Sequence, residues 1–254
     1  MKAILMAGGY GTRLKPITEI YNKHFIQIFD KPMIFYPLSI LMLMNIKNVL
    51  IITDIKSKSL FLKLLGSGKK FGLKISYKIQ NKPNGIPEGI SLASKFIGKS
   101  KSNILLLGDN FFYGPKLSKD FISAFNKNKG ATIFLHSVMN PQDFGNVIFD
   151  KKGNIRNVRE KLKKNKNDLA ITGLYFFNNK VVKLVKNLKP SSRGELEITD
   201  LLRQYLYSKE LSYKILRRGY KWFDMGTSHN IFKVNKFVGL MQEKQKLMIG
   251  NIHE

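Results

Sequence analysis

The sequence contains no cysteine and few acidic residues, and both shortages narrow what the protein can be. Without cysteine among its 254 residues, disulfide bonds and thiolate metal sites are excluded. Only 17 residues are Asp or Glu, against 44 Lys or Arg, which gives a formal net charge of +27. A basic excess attracts phosphate backbones, but these lysines are scattered along the whole chain. We therefore expect no nucleic-acid partner.

Long apolar runs are also missing. No run approaches the roughly 20 residues that a membrane-spanning helix needs, and the longest candidate, residues 33–46, contains Pro37, Ser39 and Asn45. The first apolar stretch, residues 2–7, is too short for a signal peptide and continues directly into glycines. We expect no membrane partner, and the absence of cysteine favours a cytoplasmic protein.

The remaining composition is that of one folded domain. Hydrophobic residues make up 43% of the chain and aromatic residues 11%, which are ordinary values for a globular protein. The length fits one large domain or two small ones, and no linker, repeat or low-complexity tract divides the chain. We predict a single domain over residues 1–254. The densest run of lysines, residues 161–167, predicts a solvated loop.

In the first half of the chain, short apolar runs alternate with segments of helical period, a pattern typical of a parallel sheet covered by helices. The predicted strands are residues 2–7, 48–53, 74–80 and 103–107. The predicted helices are residues 32–45, 57–65 and 86–97. This alternation predicts an α/β fold with a doubly wound, mostly parallel sheet.

The second half is predicted to be richer in strands. Residues 147–150 and the Lys151-Lys152-Gly153-Asn154 segment after them predict a hairpin, because Gly and Asn supply the positive φ angle that its turn requires. The other predicted strands are residues 131–138, 173–177 and 211–216. The predicted helices are residues 119–128, 180–187, 197–207 and 228–245.

A glycine-rich loop, Gly8-Gly9-Tyr10-Gly11-Thr12-Arg13, follows the first predicted strand. Three glycines in four positions let the backbone turn sharply and present N–H groups to an anion, and Arg13 can donate two hydrogen bonds to phosphate oxygens. The loop lacks both the Gly-Lys-Ser/Thr of a P-loop and the third glycine of the dinucleotide fingerprint. It favours a triphosphate site, although a plain glycine turn beside a surface arginine explains the glycines equally well.

Two aspartates are candidate metal ligands. Asp109 directly follows the fourth predicted strand, and ligands of open α/β sheets collect beyond the carboxyl ends of strands. The glycine-rich loop, residues 80–89 and Asp109 are therefore expected to share one crevice. Together with Asp224, Asp109 would hold Mg²⁺, which takes one or two carboxylates and completes its shell with water and phosphates. Each aspartate also has a structural explanation, as a turn or helix-capping residue.

Nearly the whole chain resembles the sugar-1-phosphate nucleotidylyltransferases. The glycine-rich loop is similar to that of the broad family, whereas residues 193–199 and 222–227 resemble its thymidylyl branch. The other similar segments are Lys23, residues 30–33, Leu106, residues 108–110, 144–145, 160–161 and 172–175.

The resemblance implies an Mg²⁺-dependent enzyme that transfers a thymidylyl group from dTTP to glucose 1-phosphate, the first step of dTDP-rhamnose synthesis. It implies a nucleotide-binding half over residues 1–120 and a sugar-phosphate-binding half, with a β-rich insertion, over residues 121–254. The implied nucleotide-binding residues are Gly8, Gly11, Thr12, Arg13, Gln80, Gly85 and Asp109. The implied sugar-phosphate residues are Gly145, Glu160, Lys161, Thr172, Tyr175, Arg193 and Trp222. The implied catalytic residues are Arg13, Lys23 and Lys161, and the implied Mg²⁺ ligands are Asp109 and Asp224.

Physical reasoning agrees with a basic site of this kind. Joining two polyanions requires that their charge be neutralised and that the attacking oxygen be aligned with the departing pyrophosphate. A general base is unnecessary, because the attacking phosphate oxygen is already ionised near neutral pH. Two alternatives stay open: an enzyme for UTP or another hexose 1-phosphate, and a non-catalytic nucleotide or nucleic-acid binder. Loss of turnover in Asp109→Ala would exclude the non-catalytic alternative.

The sequence departs from the family pattern at several positions. Gln27 and Leu162 stand where the family usually has proline, which restricts φ. The direction of the Lys161 side chain is the feature that this loss is expected to affect most. Residues 86–89 are a variant of the usual helix start. The resemblance implies a homo-oligomer, but the chain ends at Glu254, before a segment that relatives use for packing and regulation. The usual tetramer and feedback control are therefore left open.

Overall fold

A computed structural model describes residues 1–162 and 167–252, so residues 163–166 of the predicted lysine-rich loop lie outside the described residues. The strands are β1 (Lys2–Met6), β2 (Gln27–Ile28), β3 (Lys31–Pro32), β4 (Asn48–Thr53), β5 (Lys74–Ile79), β6 (Ser102–Leu107), β7 (Asn110–Tyr113), β8 (Ala131–Ser137), β9 (Gly145–Phe149), β10 (Ile155–Glu160), β11 (Leu169–Asn178), β12 (Leu211–Ile215) and β13 (Lys221–Asp224). The α-helices are α1 (Ile17–Ile20), α2 (Phe35–Leu43), α3 (Ile55–Leu65), α4 (Ile86–Leu92), α5 (Ser94–Ile97), α6 (Leu117–Asn126), α7 (Val181–Val185), α8 (Ile198–Tyr207) and α9 (Ser228–Gln245).

One mixed sheet of nine strands organises the described part of the chain. Its strand order is β10-β9-β11-β6-β1-β4-β5, and β8 pairs with both β11 and β12. Strands β6, β1, β4 and β5 are parallel, whereas β11 runs antiparallel to β6 and β8. The predicted parallel sheet of the first half and the more β-rich second half are both confirmed.

Helices cover both faces of this sheet. Side chains of β1 alternate between two hydrophobic clusters: Ala3 and Leu5 belong to one, and Ile4 and Met6 to the other. The first cluster includes residues of α2, α3 and α6, and the second includes residues of α4, α5, α7 and α8. The strand is apolar throughout because both of its faces are buried. The doubly wound arrangement is therefore confirmed.

Two of the predicted helices differ from the observed ones by more than small shifts at their ends. The helix predicted from residue 32 begins at Phe35, because Lys31–Pro32 pairs with Gln27–Ile28 as a short antiparallel ribbon. The single helix predicted over residues 86–97 is wrong: α4 and α5 are separated by Ala93, which has φ −83° and ψ 0°. Alanine favours helix, so the break follows from the tertiary position of Ala93, which is fully buried in the core.

The ribbon formed by β7 and β13 was not predicted. It is antiparallel and places Asn110 opposite Asp224 and Phe112 opposite Trp222. The two strands come from distant parts of the chain, so no local pattern indicates their pairing. This ribbon carries one of the two candidate metal ligands and lies directly after the other, Asp109.

The closing helix α9 has the predicted bounds. Thr227 caps it by accepting a hydrogen bond from the N–H of Asn230 at 3.3 Å. Phe237 packs against a third hydrophobic cluster, whereas Phe232 is 66% exposed and Leu240 is 45% exposed. No α-helix in residues 1–162 or 167–252 is both long and apolar enough to cross a membrane.

Asp54 stabilises the start of α3, and its removal is expected to destabilise the fold. Its carboxylate accepts hydrogen bonds from the Ser57 N–H at 2.9 Å and from the Asn22 Nδ2 at 3.0 Å. Asp54→Ala should lower the free energy of unfolding by about 1 to 2 kcal/mol in a denaturant titration at neutral pH. Burial opposes ionisation, but these bonds outweigh it and hold the pKa of Asp54 below its ordinary value.

The pH dependence and a control follow from the same contacts. A carboxylate with a lowered pKa stabilises the fold above its ordinary pKa and loses that contribution as the pH falls through the lowered value. The difference between Asp54→Ala and the unsubstituted protein should therefore shrink in acid. Asp54→Ser supplies another good capping group and should recover the capping part. Equal stability of all three proteins at neutral pH would contradict this account.

Candidate functional site

Two cavities meet at the carboxyl ends of the parallel strands. The loop cavity, of about 210 Å³, lies beside the glycine-rich loop and is lined in part by Gly8, Gly9, Lys23, Gln80 and Gly85. The ribbon cavity, of about 170 Å³, lies beside the β7–β13 ribbon and is lined in part by Arg13, Gly145, Thr172, Trp222 and Asp224. Both cavities share three lining residues, which are Ile86, Leu107 and Asp109.

The loop cavity brings together the segments that were expected to share a crevice. They follow β1, β5 and β6, as predicted from the position of the strand ends. Gly9 and Gly11 have φ angles of 98° and 57°, so the glycine-rich loop turns through conformations that favour glycine. Gly11 and Thr12 are not part of the lining of either cavity. The predicted nucleotide-binding residues are therefore only partly gathered around one space.

Gln80 is fixed in the wall of the loop cavity. Its side chain is buried, and its Nε2 donates to the Glu88 Oε2 at 2.6 Å and to the Gly85 carbonyl oxygen at 3.3 Å. The amide orientation is therefore set by the first turn of α4. Glu88 was not among the predicted site residues, although the unusual helix start over residues 86–89 marked this segment.

His24 also lines the loop cavity and was not predicted there. It is almost fully buried, and its Nδ1 lies 2.6 Å from the Asn22 Oδ1. Burial, aided by the positive charge of Lys23, lowers the pKa of His24 to about 3. The imidazole is therefore neutral at physiological pH, so it adds no charge to the cavity.

Asp109 forms the boundary between the two cavities. Its carboxylate is paired with the Lys23 ammonium through Oδ2 and accepts a hydrogen bond from the Asn110 Nδ2 at 3.1 Å through Oδ1. Burial alone would raise the pKa of Asp109, but the charge and hydrogen bond of Lys23 outweigh burial and hold that pKa below its ordinary value. Asp109 is therefore a carboxylate at neutral pH.

Asp224 lies on the ribbon-cavity side, close to Asp109. Its Oδ2 is 3.4 Å from the Arg13 Nη2, and its Oδ1 accepts a hydrogen bond from the Gly226 N–H at 3.0 Å. Burial and the negative charge of Asp109 raise the pKa of Asp224. Both aspartates line the ribbon cavity, so the structure brings together the two residues that the sequence analysis paired.

The carboxylates of Asp109 and Asp224 are the candidate ligands for a hard divalent cation at this site. Residues 1–162 and 167–252 contain no group of three or more His, Asp or Glu side chains arranged to hold a metal. A cation here would therefore have at most two carboxylate ligands and would take the rest from water or from a bound phosphate. This is the donor set that Mg²⁺ commonly uses and that closed zinc sites do not.

The ribbon cavity contains two buried hydroxyl groups. The Oγ1 atoms of Thr172 and Thr199 make no hydrogen bond within the described residues, and both side chains are fully buried. Unpaired buried polar groups are costly, and here both residues line an open space. Thr172 was a predicted site residue, whereas Thr199 was not. The predicted residues Glu160 and Tyr175 also line this cavity.

Arg193 and Lys161 lie in an adjoining outer cleft of about 660 Å³, which shares Glu160 and Thr199 with the ribbon cavity. The Arg193 guanidinium donates to Glu197 from Nη2 at 2.7 Å and from Nε at 3.0 Å. Burial, followed by the negative charge of Glu197, raises the pKa of Glu160. The predicted sugar-phosphate residues therefore divide between two connected spaces, with the cations on the outer side.

The backbone at Leu162 is held although proline is missing there. Its N–H donates to the Oδ1 of the buried residue Asn146 at 3.1 Å, and the Lys161 N–H donates to the Phe144 carbonyl oxygen at 3.0 Å. Proline could not make the bond at Leu162, because it has no N–H. The lost restriction on φ is therefore partly replaced by a hydrogen bond.

Comparison with known proteins shows the family of the chain. A family model described as Nucleotidyl transferase matches residues 2–239. The chain is 44% identical, over its full length and 88% of the relative, to a glucose-1-phosphate thymidylyltransferase of Neisseria gonorrhoeae. It is 41% identical, over 98% of its length and 84% of the relative, to one of Xanthomonas campestris.

Solved structures share the fold. A Bacillus anthracis protein provisionally named a glucose-1-phosphate thymidylyltransferase, in complex with sucrose, superposes with a TM-score of 0.86 at 36% identity, covering 93% of this chain and 94% of that one. A UDP-glucose pyrophosphorylase at 22% identity, with a TM-score of 0.82 over 97% and 99% of the two chains, has the same fold. By sequence and by structure, the chain belongs to the nucleotidyl transferase family.

Proposed function

We propose that the protein transfers a thymidylyl group from dTTP to glucose 1-phosphate, giving dTDP-glucose and pyrophosphate. The observation that carries this proposal is the pair of cavities that meet at Asp109, one beside the glycine-rich loop and one containing unpaired hydroxyl groups. Relatives with 44% and 41% identity are named for this reaction. A nucleotide and a sugar phosphate placed in these cavities would meet at their shared wall.

The loop cavity suits the nucleotide. Backbone N–H groups around Gly8 and the ammonium of Lys23 would receive triphosphate oxygens, since both are donors that favour anions. The fixed amide of Gln80 and the backbone of Gly85 would contact the edge of the pyrimidine. We assign Gly11 and Thr12 a role in shaping the loop around the phosphates, because neither lines the cavity.

Asp109 and Asp224 would hold Mg²⁺ together. A cation between them would offset the repulsion by which Asp109 raises the pKa of Asp224. When bound, Mg²⁺ supplies neutralisation of the charge on the triphosphate and on the departing pyrophosphate. The side chains of Lys23 and Arg13, which contact these carboxylates, would add donors at the same phosphates.

The ribbon cavity and outer cleft suit glucose 1-phosphate. The hydroxyls of Thr172 and Thr199 and the carboxylate of Glu160 would bind sugar hydroxyls, with the ring beside Trp222. Arg193 and Lys161 would hold the sugar phosphate at the boundary of the two spaces.

With both substrates bound in this way, the sugar phosphate would lie beside the triphosphate, as the transfer step requires. A phosphate oxygen of the sugar phosphate attacks the α-phosphorus of dTTP, a new P–O bond forms, and the bond to pyrophosphate breaks. The attacking oxygen is already ionised, so no protein group needs to remove a proton. The contribution of the protein is alignment and neutralisation of charge.

We also propose that the protein acts in the cytoplasm as a homo-oligomer. Support for an oligomer comes from α9, on which Phe232 and Leu240 are exposed although both are large and apolar. Support for the compartment comes from the lack of cysteine.

A substrate panel tests the proposed reaction. Pyrophosphate release should be fastest with dTTP and glucose 1-phosphate when dTTP, UTP and CTP are each combined with glucose, galactose and mannose 1-phosphates. The preference over UTP is expected to be several-fold, because a methyl group contributes about 1 kcal/mol. Each nucleotide without a sugar phosphate is the control. Equal or greater rates with UTP would move the assignment to a uridylyltransferase.

A further inference from the structure

Asn110 connects the two cavities through three hydrogen bonds. Its Oδ1 accepts from the Trp222 Nε1 at 2.6 Å and from the Gly173 N–H at 2.9 Å. Its Nδ2 donates to the Asp109 Oδ1 at 3.1 Å. The side chain is 2% exposed. Asn110 therefore contacts a candidate metal ligand, the indole of the ribbon cavity and the middle of β11 at the same time.

The amide has little capacity left for any other partner. Both lone pairs of Oδ1 are used by N–H donors, and one of the two Nδ2 hydrogens is used by Asp109. An amide is planar, so the direction of its N–H toward Asp109 is tied to the direction of its oxygen toward Trp222. A rotation of Asn110 cannot improve one contact without disturbing the other.

Trp222 is positioned to report on this connection. Its ring packs edge-on against Phe144, with ring centroids 5.1 Å apart, and against His136 at 6.3 Å. The indole lines the ribbon cavity and is not part of the loop-cavity lining. Its hydrogen bond to Asn110 therefore provides a short polar connection from Trp222 to the carboxylate between the cavities.

We propose that Asn110 is a positioning residue that couples the two substrate sites. Binding of a cation and a nucleotide at Asp109 would change the position of the Trp222 indole through Asn110. This inference rests on the proposed function, because it takes the loop cavity as the nucleotide site and the ribbon cavity as the sugar site. Ligands that shift the Asp109 carboxylate alter the hydrogen bond that it accepts from Asn110. Because the amide is planar, the hydrogen bond between Asn110 and the indole is altered as well. The sugar cavity is thereby adjusted when the nucleotide is in place.

The chain contains a single tryptophan, Trp222, so tryptophan fluorescence excited selectively reports this site alone. Addition of Mg²⁺ and dTTP, with no sugar phosphate, should change the emission of Trp222. In Asn110→Asp the carboxylate still accepts from Trp222 and Gly173, but it faces Asp109 with an oxygen in place of the N–H, so the hydrogen bond is replaced by like-charge repulsion. This variant should bind Mg²⁺ and dTTP measurably by calorimetry while its emission response is lost.

Asn110→Asp should also lower kcat/KM for glucose 1-phosphate more than it weakens the binding of dTTP. Groups that orient a metal ligand typically contribute about 10- to 100-fold to activity, and we expect a loss of that order in kcat/KM for glucose 1-phosphate. Asn110→Ala removes all three hydrogen bonds and leaves two N–H donors unpaired, so this second variant should also lose the response. If it does not fold, Asn110→Asp alone decides.

Asn178, the last residue of β11, offers a matched control. Its Oδ1 also accepts two hydrogen bonds, from the Tyr205 hydroxyl at 2.9 Å and the Lys180 N–H at 3.2 Å, and its Nδ2 donates to the Lys129 carbonyl oxygen at 2.9 Å. Asn178→Asp therefore introduces the same chemical change at a buried site away from both cavities. Its emission response to Mg²⁺ and dTTP should be retained.

The outcomes distinguish this inference from the proposed function. If the unsubstituted protein binds no Mg²⁺–dTTP in calorimetry, the proposed function fails. If it binds but the Trp222 emission does not change, or if Asn110→Asp binds and responds like the unsubstituted protein, the coupling is overturned while the proposed function stands. Loss of response in Asn178→Asp as well would also overturn it, because the effect would then be general.

Discussion

Asp109→Ala should reduce kcat by about 10³-fold or more, equivalent to about 4 kcal/mol of transition-state stabilisation. Asp109 is the charged residue among the three that line both cavities, it is paired with Lys23, and its negative charge acts on Asp224. Its removal would take away a proposed Mg²⁺ ligand and leave the Lys23 ammonium without its carboxylate. Binding of dTTP should weaken much less, because the glycine-rich loop and Gln80 are unchanged.

Two further variants make the Asp109 result specific. Asp109→Asn preserves the shape of the side chain but not its charge, and it should lose nearly as much activity. Asp150→Asn is the matched control, because Asp150 is an exposed residue in the turn between β9 and β10. The kcat of this variant should be unchanged. Steady-state kinetics and calorimetry of dTTP binding measure both effects. Unchanged turnover in Asp109→Ala would remove this residue from the mechanism and favour a non-catalytic binder.

Gly85→Ala should cost more than about 3 kcal/mol of stability, or displace the start of α4 and abolish nucleotide binding. Gly85 has a φ angle of 104°, and a Cβ there would lie 2.1 Å from the carbonyl oxygen of Leu196. The opposing group is backbone, tied in turn by the Leu196 N–H to the Asn84 carbonyl oxygen at 2.8 Å. It therefore cannot move away as the end of a flexible side chain would.

Gly219→Ala separates the two causes of this effect. Gly219 has a similar φ angle of 95°, but its Cβ would meet only Pro115, at an ordinary contact distance of 3.7 Å. This control should lose only about 1 to 2 kcal/mol of stability, because only its backbone conformation is unfavourable for alanine. Denaturant unfolding and calorimetry with dTTP measure the two variants in parallel. Equal losses of stability together with normal dTTP binding by Gly85→Ala would show that the close approach to Leu196 has no consequence.

The nucleotide side of the site could be predicted largely from local pattern. Buried parallel strands are continuous apolar runs, so β1, β4, β5 and β6 were found within one residue at each end. The carboxyl ends of parallel strands meet at one edge of a sheet. The common location of Gly8, Gln80 and Asp109 follows from these two facts.

The sugar side was predicted only through the resemblance. The β7–β13 ribbon joins distant segments whose composition does not indicate pairing, so nothing local places Asp224 near Asp109. Thr199, which lines the ribbon cavity, and Glu88, which holds Gln80 in the wall of the loop cavity, were not predicted as site residues. Their side chains become informative only when burial, open space and hydrogen-bond partners are known.

By itself, the sequence determined the α/β class, the glycine-rich loop and the approximate bounds of most helices and strands, because these depend on neighbours along the chain. The tertiary structure decided that Asp109 separates two cavities, that Arg193 and Lys161 lie in an outer cleft, and that Asn110 connects Asp109 to Trp222. These features depend on contacts between distant residues. A periodic pattern specifies which face of an element is buried, but not which distant polar groups that burial brings together.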